Sequence, residues 1–403
     1  MKLLVLGHAF MLAYIQKKYV AMKQFDPGLQ LRLVVPTRMQ DRFHFRAYEV
    51  HSALSPGEVV PLKPRLAGWQ AHMTYVHGPV RLVGLLRDFQ PDVIHIEEEP
   101  QALLSVETIF LQRLFAPKAS VTLFTWDNIL RKRSFPVGIA KSILRRYSLS
   151  RTTAVVCGNQ RSAELLRSEG YFRGGVENLP QSGLDVLEHE PGNELKLRAE
   201  LGLEGGIVVG HVGRLVPEKG LAHLVEALRR LQRHPWKLLL VGGGTLETEV
   251  RERWMAEFPG RIVLVPAVTY EEVPRYLRCV DIFTLASYST PTWKEQFGIT
   301  LAQAMLLGIA SIGSTSGAIP EVLGPGGILF EEGRSDALAI ALETLLGSAT
   351  RRQELGALGR EFALRNYTSE SVAERYLGVF DRARCRSMAG RQLISDTVTE
   401  RKA

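Results

Sequence analysis

Short, unbroken apolar runs recur along this chain, and nearly every one is followed by a stretch with helical spacing. KLLVLG (2–7), LRLVVP (31–36), DVIHIE (92–97), SVTLFTW (120–126) and TTAVVCG (152–158) read as strands, and 79–89, 100–115 and 159–169 as helices. A strand with one wet face alternates apolar and polar residues. These runs do not alternate, so both faces are buried, as in a parallel sheet covered by helices. The pattern then restarts. GIVVGHVG (206–213), WKLLLVGGG (236–244), RIVLVP (261–266), VDIFTLAS (280–287), IASIG (309–313) and GGILF (326–330) read as strands. Helical stretches over 218–233, 246–257, 271–278, 299–308, 335–349 and 351–365 lie among and after them. The predicted class is α/β, with two successive Rossmann-like parallel-sheet domains, 1–185 and 186–365. The polar segment 186–205 reads as the linker, and the polar tail 386–403 is expected to fray.

Composition narrows the class. Hydrophobic residues at 45% and charged residues at 23% exclude a mainly disordered chain and a small disulfide scaffold. Cys157, Cys279 and Cys385 are far apart and form no CxxC pair, which predicts a reduced compartment and no structural zinc. Residues 3–16 and 296–320 are uncharged, but Gly7 and His8 break the first and four glycines break the second. Both read as buried soluble structure, neither a leader nor a membrane span. The net charge of +8 is unevenly spread: residues 1–185 hold 24 Lys+Arg against 15 Asp+Glu, and 186–403 hold 26 against 27. The first half is therefore expected to meet something anionic: nucleic acid, a membrane surface or a phosphorylated substrate.

Ligands of open parallel sheets sit beyond the carboxyl ends of the strands, so two facing sheets predict a cleft between domains. In the loop GRLVPEKG, Arg214 and Lys219 flank a turn that opens a helix. Cations beside a helix N-terminus suit a diphosphate, because side-chain charge and exposed N–H groups add. Two solvated cations are the plain alternative. In PTWKEQFGITLAQAMLLG (291–308), Glu295 ends a loop, Gly298 permits close approach, and Ile299 and Thr300 open a helix. Gln303 lies one turn on, toward the same cleft. A carboxylate and an amide there would suit sugar hydroxyls; a capped helix with a buried face is the alternative.

GRLVPEKG together with Glu295-Gln-Phe-Gly-(x)4-Gln303 resembles the family 4 glycosyltransferases (glycosyl transferases group 1), retaining enzymes of the GT-B fold. LPQSGLD (179–185), VGGGTLE (241–247), SGAIPEVLGPGGILFEEG (316–333) and NYTSESVAERYLGVF (366–380) resemble further family stretches in the same order. The resemblance implies a C-terminal helix, 366–385, crossing back to the first domain. It implies that Arg214 and Lys219 neutralise the donor diphosphate, that Glu295 binds donor-sugar hydroxyls, and that Gly298, Ile299 and Thr300 hold phosphates through backbone. It implies that Val268 meets the base. The family usually has Glu where this chain has Gln303, so ribose binding is expected to be retained but altered.

The first domain resembles the family less closely, with Gly7-His8-Ala9 in place of a Gly-Gly pair. After its strands, IHIEEEP and FTWDN offer acceptor-side candidates: His8, Glu97 with Glu98 and Glu99, Trp126, Asp127 and Asn128. A solvated run of glutamates and a core tryptophan are the plain alternatives. Residues 131–151 hold seven cations, Arg131, Lys132, Arg133, Lys141, Arg145, Arg146 and Arg151, no acidic residue, and interleaved apolar side chains. Such a stretch suits an anionic membrane surface or a phosphate-bearing lipid acceptor, or else is a basic helix with one core face.

Other chemistries find less support. None of the ten aspartates forms a DxD pair, which speaks against metal-dependent transfer. VLGHAF lacks the GxGxxG of a dehydrogenase, and no nucleic-acid motif is present. The expectation is a metal-independent, retaining hexosyltransferase that uses a nucleoside-diphosphate sugar and no other cofactor. Its acceptor would be a hydroxyl on a lipid-linked or polysaccharide precursor, with a small soluble acceptor as the alternative. The place expected is the cytoplasm, or peripherally the inner face of the membrane. A binding-only relative, motivated by Gln303, is the non-enzyme rival.

Overall fold

The computed structural model describes residues 1–40, 45–66, 71–129, 136–170, 172, 174–188 and 194–400. The chain forms two compact units, Met1–Gly183 with Ser369–Ala403, and Leu184–Thr368.

The first unit contains β1 (Lys2–Leu6), β2 (Gln30–Pro36), β3 (Arg38–Gln40), β4 (Phe45–Ala47), β5 (Val59–Leu62), β6 (Val93–Ile96), β7 (Ser120–Thr125), β8 (Ala154–Cys157) and β9 (Gly175–Asn178). Seven of them make one sheet in the order β5-β2-β1-β6-β7-β8-β9, parallel throughout. β3 and β4 form a separate antiparallel pair. β6, β7 and β8 are buried at every position, as their unbroken apolar runs require.

The second unit contains β10 (Ile207–Val212), β11 (Trp236–Val241), β12 (Ile262–Val265), β13 (Ile282–Leu285), β14 (Ala310–Ser314) and β15 (Gly327–Phe330), in the order β12-β11-β10-β13-β14-β15. All its pairings are parallel. Leu239 and Val241 of β11 join one apolar cluster, while Leu238 and Leu240 join another. Successive side chains thus feed the helix layers on opposite faces.

Both sheets start in the middle, run outward to one edge, return, and run to the other. Each therefore has a switch point, between β1 and β6 in the first unit and between β10 and β13 in the second. Loops that leave the carboxyl ends there diverge and open a crevice.

Three expectations change. Segment 186–205 is part of the second unit: Leu197 and Leu203 enter its core with Leu184, and Leu195–Glu200 is helical. The unit begins at Leu184, whose N–H donates to the Tyr367 carbonyl at 2.7 Å, so the unit's two ends are stitched together. The polar tail expected from residue 386 is part of one helix that runs Ser369–Glu400. That helix buries Val372, Tyr376, Val379, Phe380 and Ala383 in the first unit's core. Elements missed by apolar patterning include the short β3, β4, β5 and β9, the helix Ala13–Phe25 and the small helices Ala71–Thr74, Leu195–Glu200 and Ile319–Leu323.

Candidate functional site

The second unit's switch point gathers the residues of the two quoted loops. Lys219 closes a short 3-10 turn, Pro217–Lys219, after β10. The Tyr288 N–H donates to the Glu218 carbonyl at 3.0 Å and ties that turn to the loop after β13. Lys219 Nζ donates to Glu295 Oε2 at 2.6 Å, and Ser287 Oγ donates to the same oxygen at 2.8 Å. The Trp293 ring centroid lies 5.2 Å from Nζ. The ion pair is largely sheltered, with side chains 13% and 9% exposed, so its attraction is little screened by water.

Backbone fixes the carboxylate from behind. The Ala318 N–H donates to the Glu295 carbonyl at 3.0 Å. Gly317 has φ +53°, and a Cβ there would stand 2.1 Å from that carbonyl oxygen. Gly298, at φ +84°, caps the helix Ile299–Leu306, and a Cβ on it would stand 2.8 Å from Leu285 Cδ2. Ile299 and Thr300, both half-buried, are the first residues of that helix, where N–H groups and the dipole favour an anion. Cation, carboxylate, hydroxyl and helix N-terminus together suit a ligand with a phosphate end and a hydroxyl end.

Not every sequence candidate joins this cluster. Arg214 is 52% exposed, with its guanidinium 3.9 Å from Glu218. Val268, three residues past β12, is half-buried against the apolar cluster. Gln303 does not open toward a crevice. It is fully buried, and neither amide atom has a hydrogen-bond partner among the described residues. The reason is that Leu301, Ala302, Ala304, Met305 and Leu306 are also buried, so beyond its first turn the helix has no wet face. Below the cluster, burial and then the Lys219 charge push the His211 imidazole down to about 4. Ser287 was missed by sequence reasoning; its signal was its place two residues past β13, opposite the β10 loop.

The first unit's switch point holds the three glutamates, and none is a solvated surface charge. Glu97 and Glu98 are buried and Glu99 is half-buried. Glu97 binds Lys18 Nζ at 2.5 Å, Gln181 Nε2 at 3.0 Å and the Tyr19 hydroxyl, so its role is internal. Burial lowers the Lys18 ammonium against the opposing pull of Glu97. Glu98 holds His8 at the end of β1: Oε1 lies 2.6 Å from Nδ1 and accepts the His8 N–H at 2.9 Å and the Tyr75 hydroxyl at 2.8 Å. Burial works to lower the His8 imidazole, but the Glu98 charge and hydrogen bond outweigh it and raise it.

Glu99 accepts from Thr125 Oγ1 at 2.5 Å and from the Trp126 N–H at 2.9 Å. Burial and the neighbouring Asp127 charge push it up to about 7. Trp126 Nε1 donates to Gln181 Oε1 at 3.0 Å. Asp127 accepts from Gln101 at 3.3 Å and faces Arg145 at 3.6 Å. Asn128 is buried. Tyr75, Gln101 and Gln181 carried no sequence signal, since each acts across the fold.

Arg145 corrects the reading of 131–151. It lies in the helix Val137–Leu149, turns inward, and binds Glu169 at 2.8 Å and Gln101 at 3.1 Å. Arg146 stays on the outer face with exposed Val137, Ile139 and Ile143. Residues 131–135 of that stretch lie outside the described residues.

Comparison with known proteins follows the same division. Anabaena HepE, solved with UDP, superposes with a TM-score of 0.70 at 17% identity, covering 94% of this chain and 100% of that one. The sucrose-phosphate synthase of Thermosynechococcus elongatus gives 0.67 at 18%, covering 98% and 100%. These likenesses are of fold, and the fold is the GT-B type of two Rossmann-like parallel-sheet domains. A GDP-mannose-dependent monoacylated alpha-(1-6)-phosphatidylinositol monomannoside mannosyltransferase of Corynebacterium glutamicum is 29% identical over 50% of this chain and 55% of its own length. A D-inositol 3-phosphate glycosyltransferase of Rhodococcus erythropolis is 29% identical over 50% and 47%. The chain spans about half the length of the curated relatives it matches. Residues 193–362, which hold the Lys219–Glu295 cluster, match the model of the family described as glycosyl transferases group 1.

Proposed function

We propose that the chain is a retaining glycosyltransferase that moves a hexosyl group from a nucleoside-diphosphate sugar to a hydroxyl acceptor. The observation that carries this reading is the Lys219–Glu295–Ser287 cluster beside the N-terminus of the helix Ile299–Leu306. The family match over 193–362 and relatives named as glycosyltransferases support it.

Lys219, the first amides of that helix and, from the rim, Arg214 neutralise the diphosphate. Their stabilisation grows as the C1–O bond to phosphate breaks and charge collects on the leaving group. Glu295 accepts from sugar hydroxyls, and Val268 borders the base. The acceptor oxygen bonds to C1 on the face that phosphate leaves, and its proton passes to the departing phosphate oxygen. The donor configuration is thereby kept. No metal or further cofactor is needed, since Lys219 and the amides supply the positive charge.

His8, Trp126, Asp127 and Asn128 remain the acceptor-side groups, and Glu97 leaves that set because Lys18, Tyr19 and Gln181 occupy it. A lipid-linked or polysaccharide precursor is the favoured acceptor, reached by peripheral contact with an anionic membrane on the cytoplasmic side. The outer face of Val137–Leu149 supports that contact, with Lys141 and Arg146 among exposed aliphatic residues. No helix among the described residues is long and apolar enough to cross a membrane.

A thermal-shift screen with UDP, UDP-glucose, GDP and GDP-mannose, followed by donor hydrolysis and transfer assays, tests the reading. Stabilisation with turnover supports it; stabilisation without turnover favours the binding-only reading, motivated by Gln303 where the family usually has Glu. No stabilisation by any of the four would sink both.

A further inference from the structure

Trp293 has a large ring that the core does not use. It is half-buried, yet among the described residues it joins none of the apolar clusters and makes no ring–ring contact. Its one ring contact there is with Lys219 Nζ, at 5.2 Å.

The loop that carries it is held firmly. The Thr290 N–H donates to the Trp293 carbonyl at 2.8 Å, and the Trp293 N–H donates back to Thr290 Oγ1 at 3.0 Å. Two residues later Glu295 points its carboxylate at the same ammonium. An indole ring and a carboxylate from one short segment are thus fixed around a cation from the loop after β10. A pyranose offers a matching set, with a face of C–H bonds, a rim of hydroxyls and, in a nucleotide sugar, a phosphate at C1. Indole covers such a C–H face well, because the ring is broad and polarisable and has little entropy left to lose.

We propose that Trp293 is the platform on which the donor's sugar ring stacks, so that it binds the sugar and not the nucleotide. This rests on the nucleotide-sugar reading of the Lys219–Glu295 cluster, and it assigns a separate residue to the hexose. Nucleoside diphosphates lack the hexose and should therefore be indifferent to the indole.

The test compares the unsubstituted full chain with Trp293→Ala and Trp293→Phe by calorimetric titration. The probe pairs are UDP with UDP-glucose and GDP with GDP-mannose. In Trp293→Ala the nucleotide sugar should bind about tenfold more weakly, with the bare diphosphate within about twofold. Trp293→Phe should recover most of the loss. Retained diphosphate binding also reports that the variant is folded and that Lys219 still works. Equal loss for both members of a pair would assign Trp293 to the loop's structure and overturn the proposal. An unchanged affinity for the sugar form would overturn it as well. If the unsubstituted chain binds neither member of either pair, the nucleotide reading itself falls, and the stacking with it.

Discussion

Lys18 carries its charge where no water reaches it. Its side chain and that of Glu97 are both fully enclosed, and two tyrosine rings flank the ammonium, at 4.8 Å and 4.2 Å. Removing one member leaves the other charge buried and uncompensated. Lys18→Met should therefore cost about 3–5 kcal/mol in urea unfolding, and Lys18→Met with Glu97→Gln should recover part of it. A single variant within about 1 kcal/mol of the parent would refute the account.

The buried histidines set an acid limit. His77 and His211 are pushed down to about 4 by burial, with Lys219 adding to the effect on His211. Both are neutral when folded and take a proton near 6.5 when unfolded. Their contribution is complete above pH 6.5 and is lost as pH falls toward 4. For His211 the loss is about 2 kcal/mol by pH 5. His8, raised by Glu98, acts in the opposite sense. Denaturation of His211→Gln at pH 7.5 and pH 5 should show a smaller drop than the parent; an equal drop would remove His211 as the cause.

At the scale of elements, the loop of Glu295 depends on its neighbour at Gly317. A Cβ at φ +53° adds backbone strain to a 2.1 Å collision with the Glu295 carbonyl. Gly317→Ala should lower the melting temperature and abolish the thermal shift given by a nucleotide sugar, because the carboxylate moves off Lys219. A variant that keeps that shift would show the carboxylate's position to be independent of this contact.

The helix Val137–Leu149 divides its cations by face. Arg145 is tied to Glu169 and Gln101, while Arg146 is exposed. Lys141→Glu with Arg146→Glu should reduce flotation with anionic liposomes and leave the melting temperature near that of the parent. Equal flotation would remove the membrane contact. Sequence periodicity did not locate this division, since a basic stretch reads alike whether an arginine faces water or a buried carboxylate.

For the whole molecule, the chain leaves the first unit at Gly183 and returns to it at Ser369. The second unit's ends are joined, since Leu184 pairs with Thr368 as a parallel bridge. A 184–368 fragment should fold alone, unfold cooperatively in urea and retain nucleoside-diphosphate binding. Deleting 369–403 should leave the first unit without Tyr376, Val379 and Phe380 in its core, and cause aggregation. A monomeric, cooperatively folding 1–368 chain would contradict that dependence.

The sequence alone determined the two parallel sheets, because a strand buried on both faces must be apolar at nearly every position, and such runs are visible locally. It also exposed the Lys219 and Glu295 loops, since each lies beside a glycine-marked turn at a strand's end. Only the tertiary structure decided which charged groups meet. Glu97 was spent on Lys18 and Gln181, Arg145 on Glu169, and Gln303 was enclosed by its own helix's apolar neighbours. Whether a charge is exposed or paired depends on residues remote in the chain, such as Lys18 and Glu97, 79 positions apart. Local patterning carries no record of such partners.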